Sequence, residues 1–399
     1  MRIGFDLRSF LREETGVGVY FKNLLFELAR IDADNEYVLF SSSWKDRFPA
    51  AKLPPFKNRR FRDLRWPVKG VNFAWYKLGR PRLDTIFGTR LDLTHSPTPL
   101  ILPTAGKKIV TVCDLFFMDF PGRADKEARR YFLKRAESSL RKADGIVTIS
   151  EFTKKALIDR FGIGDERIKV TYLGLNDIFK EPAGAGAVDG GRGPGLYPGV
   201  HFRREGSSLD AARRKFDLPE GFLLFVGASE PRKNLPRLID ALAVVHKRYA
   251  KIPLVLVGRA GADQATLLDR IRFRGMERWI RLLGYLPDPD IRDLYQAASA
   301  LVFPSYCEGF GLPLLEAMAC GLPVAASGVS ALPEIGGDAA VYFDPENVED
   351  MAAKIILILG DARLRASLQA KGRERAKAFT WQKTARETLS FYRQILRGR

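Results

Sequence analysis

Short apolar runs alternate with amphipathic segments along nearly the whole chain. Such runs, bounded by glycine, proline and polar residues, predict buried strands. The predicted strands are Arg2–Leu7, Tyr37–Ser41, Leu91–His95, Lys108–Cys113, Gly145–Ile149, Lys169–Leu173, Phe222–Gly227, Pro253–Gly258, Ile280–Gly284, Ala300–Pro304, Pro323–Ser327 and Val341–Asp344. Helical patterns lie between several of them, most clearly at Lys126–Ala143. The alternation predicts an α/β protein whose parallel sheets are covered by helices on both faces.

The strand–helix pattern stops and then restarts, which indicates two domains. The break runs from Pro182 to Gly199, which is rich in glycine and has little periodicity. A chain of 399 residues is also too long for one ordinary core. We therefore expect two doubly wound, Rossmann-like domains at residues 1–180 and 208–379, with a linker or insertion at 181–207. Residues 380–399 have the apolar spacing of a final helix.

The composition is that of a globular protein, with 46% hydrophobic residues. No apolar run reaches the roughly 20 residues that a membrane span needs. The segment Met1–Asp6 reads directly as a strand, so no leader is expected. Cys113, Cys307 and Cys320 suggest neither a disulfide framework nor a zinc site. A reducing cytoplasm is the compartment that fits best.

The formal net charge of +18, with a pI near 9.8, indicates an anionic partner. Nucleic acid, anionic lipid and a phosphorylated substrate are the candidates. The chain has no recognition helix, zinc-ligand spacing or RNA-binding aromatic signature, so nucleic acid is not an expected partner. A steep salt dependence of DNA or RNA binding would support that less favoured alternative.

The positive charge is concentrated in residues 52–90. Basic residues there outnumber acidic ones, and aromatic residues are interleaved with them: Phe56, Phe61, Trp66, Phe73, Trp75 and Tyr76. Basic residues mixed with tryptophan and phenylalanine are typical of a segment that lies on an anionic membrane surface. The alternative is a solvated basic loop whose aromatic side chains pack into the core.

The segment Glu308–Glu316 places two carboxylates eight positions apart. Pro313 suits a first helical turn and Gly321 a C-terminal cap, so a short helix is predicted with Glu316 in its middle. A carboxylate among apolar neighbours needs partners, and the two hydroxyls of a ribose would serve. The amides of Phe310, Gly311 and Leu312 lead into the helix N-terminus, which favours anions. The alternative is a core helix with one solvated glutamate.

Arg232 and Lys233 follow the strand Phe222–Gly227. Cations held there could stabilise negative charge on a leaving diphosphate, and arginine adds bidentate geometry. The alternative is a pair of exposed cations at a helix start, which is a poor place for unpaired positive charge. We therefore favour an anion ligand at Arg232 and Lys233.

The Glu308–Glu316 segment resembles the E-x7-E signature of the family 4 glycosyltransferases, which are retaining enzymes with the GT-B fold. Other motifs of that family follow in order along the chain: Thr15–Tyr20, His95–Pro97, Cys113–Leu115, Val147–Thr153, Phe225–Leu235, Gly284–Pro287, Ser330–Glu334 and Phe343–Pro345. The resemblance implies two facing Rossmann-like domains with a donor site in the second. It also implies that the C-terminal helix crosses back to the first domain.

The resemblance implies roles for individual residues in the second domain. Glu316 would hold the donor ribose, and Glu308 would lie beside the hydroxyls of the transferred sugar. Tyr285 and Leu286 fall in the loop that contacts the nucleotide base. Retaining GT-B enzymes are thought to use the leaving phosphate to help deprotonate the acceptor, so neither glutamate is expected to be a nucleophile.

Four candidates lie in the first domain. Gly16 and Gly18 flank the turn after the first strand, where glycine lets the backbone approach a phosphate or sugar closely. His95 ends a strand at the expected cleft. Asp114 is a candidate for sugar or acceptor contact, although the family's preceding histidine is Cys113 here. Relatives also often carry arginine where this chain has Ala228.

Asp288-Pro289-Asp290 matches the D-x-D of metal-dependent transferases of another fold. It precedes the helical pattern 291–298, where aspartate is a common cap or first-turn residue. We expect no metal site and no cofactor, as the GT-B resemblance also implies.

The resemblance, which is to bacterial mannosyltransferase- and rhamnosyltransferase-type enzymes of polysaccharide biosynthesis, implies the transfer of a hexose such as mannose from a nucleotide-diphosphate sugar. The acceptor would be a saccharide or lipid-linked saccharide of cell-surface polysaccharide, at the inner face of the plasma membrane. A sugar phosphorylase, a nucleotide-sugar epimerase and a catalytically silent sugar-nucleotide binder are the alternatives within the fold.

Overall fold

The computed structural model describes residues 1–11, 16–119, 133–180 and 212–398. The chain forms two compact units. Unit 1 consists of Met1–Gly174 together with Thr380–Arg399, and unit 2 consists of Leu175–Phe379. The first unit thus ends at Gly174, a few residues before the predicted boundary at 180. The predicted linker 181–207 lies outside the described residues.

Unit 1 contains a parallel sheet of seven strands in the order β3-β2-β1-β4-β5-β6-β7. The strands are β1 Arg2–Asp6, β2 Glu36–Ser42, β3 Arg59–Leu64, β4 Leu93–Ser96, β5 Lys107–Val112, β6 Gly145–Thr148 and β7 Ile168–Val170. The central strands are buried on both faces, because helices cover each side of a sheet of this kind. This burial explains why they read as apolar runs.

The helices of unit 1 are α1 Gly16–Ile31, α2 Val68–Phe73, α3 Leu83–Phe87, α4 Phe116–Asp119, α5 Leu133–Lys142 and α6 Glu151–Phe161, with the C-terminal helix as the last element. The C-terminal helix, Trp381–Arg397, packs closely on this unit. A Cβ atom added to Gly145 would lie 2.9 Å from the ring of Phe391. The final helix therefore completes the core of the first unit, although unit 2 precedes it in the chain.

Unit 2 contains a parallel sheet of six strands in the order β10-β9-β8-β11-β12-β13. The strands are β8 Leu223–Val226, β9 Leu254–Val257, β10 Ile280–Gly284, β11 Ala300–Phe303, β12 Val324–Ser327 and β13 Val341–Phe343. The helices are α7 Leu235–Arg248, α8 Gln264–Phe273, α9 Asp288–Ala297, α10 Leu312–Ala319, α11 Leu332–Gly336, α12 Val348–Gly360 and α13 Ala362–Ala376, which makes the C-terminal helix α14.

The α/β class with two parallel sheets is confirmed. Each predicted strand is present, and β3 is an additional strand that the apolar pattern does not predict. This strand pairs in parallel with β2 at the edge of the sheet and carries Arg59, Arg60 and Arg62. Charged side chains on an edge strand discourage pairing with other chains, and they also hide the apolar pattern. The helix predicted at Lys126–Ala143 is described only from Leu133 to Lys142.

Candidate functional site

The candidate site lies at the carboxyl edge of the unit 2 sheet. In doubly wound sheets, ligands bind at the carboxyl ends of the strands. Arg232 and Lys233 follow β8, Tyr285 follows β10, and Glu308 follows β11. The helix α10, which carries Glu316, begins directly after the Glu308 loop. Residues that are distant in the sequence therefore converge on one edge of a single unit.

Glu308 binds both cations of the β8 loop. Its Oε1 lies 2.6 Å from Lys233 Nζ, and its Oε2 lies 2.8 Å from Arg232 Nη1. Arg232 also binds Glu230, with 2.8 Å between Nε and Oε2. Glu308 and Lys233 are buried, whereas the Arg232 side chain is partly exposed. The cations thus form an electrostatic cluster around Glu308, with Arg232 at its solvent side.

The charge state of Glu308 follows from these neighbours. Burial alone would raise the pKa of its carboxyl, but the positive charges of Lys233 and Arg232 outweigh burial and lower the pKa to about 2. Glu308 is therefore ionised at all physiological pH values. An ionised carboxylate accepts hydrogen bonds, so Glu308 can bind sugar hydroxyls and cannot act as a general acid.

Backbone anchors hold the two loops in place. Asn234 has a left-handed conformation with φ of 57°, and its Nδ2 donates to Pro304 O at 3.1 Å and to Pro345 O at 2.8 Å. These bonds tie the Lys233 loop to the ends of β11 and β13. The amide of Glu308 donates to Ser330 Oγ at 3.1 Å. The distance between Lys233 and Glu308 is thus set by neighbouring strand ends.

Helix α10 has the caps that the sequence predicts. Gly311 precedes it with φ of 100°, and a Cβ atom there would lie 2.6 Å from Leu332 Cδ2, so only glycine fits. Leu312 opens the helix, and Gly321 follows its end with φ of 72°. The Phe310 ring is buried against Phe379 at 5.8 Å. Phe310 therefore contributes packing, and its amide remains the group proposed to face an anion.

Glu316 lies in the middle of α10, as predicted. Tyr295 on α9 donates its hydroxyl to Glu316 Oε2 at 2.9 Å. Burial raises the pKa of Glu316 to about 7, although the hydrogen bond from Tyr295 opposes this rise. Its side chain is nevertheless partly accessible to solvent. A carboxylate that is costly to ionise and still reaches the surface is a suitable acceptor for a pair of hydroxyl donors.

Tyr285 and Leu286 lie beyond β10, at the same edge of the sheet. The Tyr285 ring is 60% exposed, and the guanidinium of Arg259 lies 4.8 Å from its centroid. A flat, accessible pair of this kind can stack against a planar ring. Tyr285 and Leu286 remain the candidates for contact with the nucleotide base.

His95 does not reach a surface. Its ring is 0% exposed, with Nδ1 2.5 Å from Tyr392 Oη and Nε2 2.7 Å from Thr111 Oγ1. Burial lowers its pKa to about 3, so the ring is neutral. The expectation that His95 contacts a ligand at a cleft is therefore corrected. Its polar ring joins β4 and β5 to the C-terminal helix α14 inside unit 1.

The other unit 1 candidates have different surroundings. Gly16 and Gly18 lie inside the first turn of α1, so they do not flank a turn as expected. Residues 12–15 before them are outside the described residues. Asp114 follows β5, is partly exposed, and accepts a bond from the amide of Phe116 at 3.0 Å. It remains a candidate for sugar or acceptor contact.

The Asp288-Pro289-Asp290 carboxylates have partners other than a metal. Asp288 accepts from Asn176 Nδ2 at 3.2 Å, and Asp290 pairs with Lys215 at 2.5 Å. Both aspartates lie in the first turn of α9. In the described part of the chain, no group of three His, Cys, Asp or Glu residues could hold a metal ion.

Three further residues shape this site, and no function was expected for them from the sequence. Asn234 holds the Lys233 loop, Glu230 binds Arg232, and Tyr295 binds Glu316. Asn234 had a usable signal, because asparagine tolerates the left-handed conformation at a loop before a helix. A tyrosine in an amphipathic helix gives no such signal, since it looks like an ordinary core residue.

Known proteins resemble this chain in sequence. A family model described as Glycosyltransferase Family 4 matches residues 15–177, and one described as Glycosyl transferases group 1 matches residues 209–375. The O-antigen chain mannosyltransferase B of Escherichia coli is 32% identical over 410 residues, which cover 99% of this chain and all of that protein.

Solved structures agree on the fold. Sucrose-phosphate synthase from Thermosynechococcus elongatus superposes with a TM-score of 0.75 at 21% identity, and each chain is fully covered. Anabaena Alr3699/HepE in complex with UDP-glucose has a TM-score of 0.72 at 19% identity, covering 98% of this chain and 100% of that one. Two parallel-sheet units with this site define a glycosyltransferase of the GT-B fold. More particularly, the chain belongs to the family 4 glycosyltransferases.

Proposed function

We propose that the protein transfers a hexose, with mannose favoured, from a nucleotide-diphosphate sugar to a saccharide or lipid-linked saccharide. The acceptor would belong to a cell-surface polysaccharide of the O-antigen type. Support for mannose and for O-antigen comes from the name of the Escherichia coli relative, whose whole length this chain covers. The observation that carries the proposal is the cluster of Glu308 with Lys233 and Arg232 at the carboxyl edge of the unit 2 sheet.

The chemistry assigned to this cluster is electrostatic. Arg232 and Lys233 would balance the negative charge that develops on the leaving diphosphate, because fixed cations lower such a barrier without reorganising. Glu308 would accept hydrogen bonds from the transferred sugar, and Glu316 would accept those of the ribose. The reaction would retain the anomeric configuration, with the leaving phosphate taking the acceptor's proton. This scheme requires no metal ion or cofactor.

The acceptor side would involve an anionic membrane surface. Residues 65–80, here named the 65–80 surface, expose Trp66, Val68, Phe73 and Leu78 among basic side chains. Phe56 and Trp75, by contrast, pack in the core, as the alternative interpretation expected of the aromatics. Arg8 anchors this surface, since its Nη1 donates to Asn72 at 2.9 Å and its guanidinium lies 4.8 Å from the Trp75 ring.

No helix in the described ranges is long and apolar enough to cross a bilayer. The exposed apolar and basic side chains of the 65–80 surface are what support peripheral binding, which we propose for the inner face of the plasma membrane.

The proposal is tested by incubating the protein with GDP-mannose or UDP-glucose and a lipid-linked saccharide. Proton NMR of the product would give the anomeric configuration. An α-linked product from an α-linked donor is expected. Inversion would contradict the retaining mechanism. Turnover of the donor sugar without an acceptor would instead indicate an epimerase or phosphorylase, and binding without turnover would indicate a silent binder.

A further inference from the structure

Tyr295 is buried directly beside the carboxylate assigned to the ribose. Its side chain is 0% exposed, and its hydroxyl donates to Glu316 Oε2 at 2.9 Å. Among the described residues, Glu316 Oε1 receives no hydrogen bond. One carboxylate oxygen is therefore held by the protein, and the other is left for a ligand.

The first residues of unit 2 hold Tyr295 in turn. Phe179 is 1% exposed, and its ring meets the Tyr295 ring edge-on, with 6.0 Å between centroids. The carbonyl of Phe179 accepts from Cys320 Sγ at 3.8 Å, at the end of α10. Asn176 donates to Asp288 at the start of α9. The turn Asp177–Phe179 is thus fastened to both helices that carry the Tyr295–Glu316 pair.

These contacts have a consequence for the glutamate side chain. A glutamate on a helix can occupy several rotamers, and a hydrogen bond from a rigid partner selects one of them. Tyrosine is a rigid partner when its ring is packed on both sides, because only its hydroxyl rotates. Burial raises the pKa of Tyr295, so the phenol keeps its proton and can donate it to the ionised Glu316 carboxylate.

We propose that Tyr295 is a positioning residue that presents Glu316 to the ribose hydroxyls of the donor, and that Phe179 holds Tyr295 for this role. The segment where the chain enters unit 2 would then be part of the donor site. This inference rests on the proposed function, because it assumes that Glu316 binds the nucleotide ribose.

The test is ribose discrimination, measured by calorimetry on the folded full-length protein. The ligands are UDP and GDP, each compared with its 2′-deoxy counterpart. The wild-type protein should bind one ribonucleotide roughly tenfold more tightly than its deoxy form, as expected for one hydrogen bond to a charged acceptor. Tyr295→Phe should bring the ratio of the two affinities close to one, mainly by weakening the binding of the ribonucleotide.

Matched variants separate positioning from general loss of stability. Tyr342→Phe is the matched control, because it also removes a partly buried tyrosine hydroxyl of unit 2, which donates to Gly337 O at 2.8 Å. This variant should leave the ratio of ribonucleotide to deoxyribonucleotide affinity unchanged. Phe179→Ala should lower the ratio, whereas Phe179→Leu, which keeps the apolar volume, should lower it less.

The outcomes distinguish the inference from the proposed function. If Glu316→Gln abolishes discrimination and Tyr295→Phe preserves it, the ribose site stands and the role of Tyr295 is wrong. If the wild-type protein binds UDP or GDP without discriminating it from its deoxy form, the ribose role of Glu316 and the role of Tyr295 are both overturned, whereas the transfer assay decides the proposed function separately. Loss of discrimination in Tyr342→Phe would also overturn the specific role of Tyr295.

Discussion

Glu308 and Lys233 lie 75 positions apart in the chain, and their side chains meet with 2.6 Å between Oε1 and Nζ. Both side chains are buried, so each charge is compensated mainly by protein groups and only weakly by water. The pair joins the loop after β8 to the loop after β11. A substitution in this pair should therefore change both the stability of unit 2 and the charge of the candidate site.

The first prediction concerns this pair. Lys233→Met leaves the buried Glu308 with only the partly exposed Arg232 as a partner and should lower the free energy of unfolding by about 3 kcal/mol, because an incompletely compensated buried charge is costly. The double variant Lys233→Met/Glu308→Gln should recover most of that loss and still lack transfer activity. Denaturant unfolding and a transfer assay measure both effects. Lys371→Met, which breaks an exposed pair with Asp338, is the control and should cost far less stability, because water screens the pair.

The second prediction is a pH dependence at Glu316. Its pKa is raised to about 7, so between about pH 5 and pH 7 the native state holds a proton that the unfolded state has lost. Stability should therefore fall as pH rises through this window. Glu316→Gln removes the effect and should be more stable than wild type at pH 8, by on the order of 2 kcal/mol after solvent screening. At pH 4 the two proteins should unfold alike.

Thermal unfolding of both proteins from pH 4 to pH 8 measures this difference. Glu349→Gln, at an exposed position, is a suitable control and should show no such trend. Equal stability of Glu316→Gln and wild type at pH 8 would argue that Glu316 is ionised without cost.

The third prediction treats His95 as a structural residue. His95→Phe removes bonds to Thr111 and Tyr392 and leaves two buried hydroxyls without this partner. Stability should drop by about 2 to 3 kcal/mol, whereas the transfer rate per folded molecule should stay within about twofold at a temperature well below unfolding. Loss of transfer with unchanged stability would restore a catalytic role for His95.

The fourth prediction compares two glycines. Gly311→Ala places a Cβ atom 2.6 Å from Leu332 at a positive φ and should destabilise unit 2 by about 2 kcal/mol or more. Gly16→Ala has no heavy atom within 4 Å of the new Cβ and lies in a helix, so stability should be kept or raised. If the Gly16 backbone approaches a ligand, the Ala variant should lose transfer activity without losing stability. Unchanged activity would remove Gly16 from the site.

The fifth prediction concerns the 65–80 surface. The wild-type protein should sediment with vesicles rich in phosphatidylglycerol at low salt, and salt should weaken the binding. Trp66→Ser/Phe73→Ser should reduce it several-fold. Phe273→Ser, which changes an exposed ring of unit 2, is the control. Binding that survives the double substitution would assign the membrane contact elsewhere.

An element could be predicted from the sequence when its surroundings leave a local pattern in the chain, and it was missed when they depend on distant residues. The strands β1 and β11 were predictable because burial on both faces demands an apolar run. The edge strand β3 was missed because its arginines meet solvent, and its pairing with β2 depends on a partner distant in sequence. The caps of α10 were predictable because glycine and proline act locally.

In the candidate site, too, some residues could be recognised from a local motif, whereas their contacts depend on residues distant in the sequence. Glu308, Lys233 and Glu316 were selected by motif, but their partners came only from the fold. The bond from Tyr295 to Glu316 spans two helices, and no local pattern marks it. His95 was misjudged because a strand end at a sheet edge can be covered by a later element, here α14 through Tyr392.

The central claim is that unit 2 binds a nucleotide diphosphate through Glu316 and the β8 cations. The most direct measurement is a thermal-shift panel with UDP, GDP, dTDP and ADP, with and without magnesium, on the wild-type protein and Glu316→Ala. A ligand at 100 times its dissociation constant adds about 2.7 kcal/mol of stability. We expect one nucleotide diphosphate to stabilise the wild-type protein without magnesium, and this shift to disappear in Glu316→Ala. No shift with any nucleotide, or an equal shift in the variant, would contradict the account.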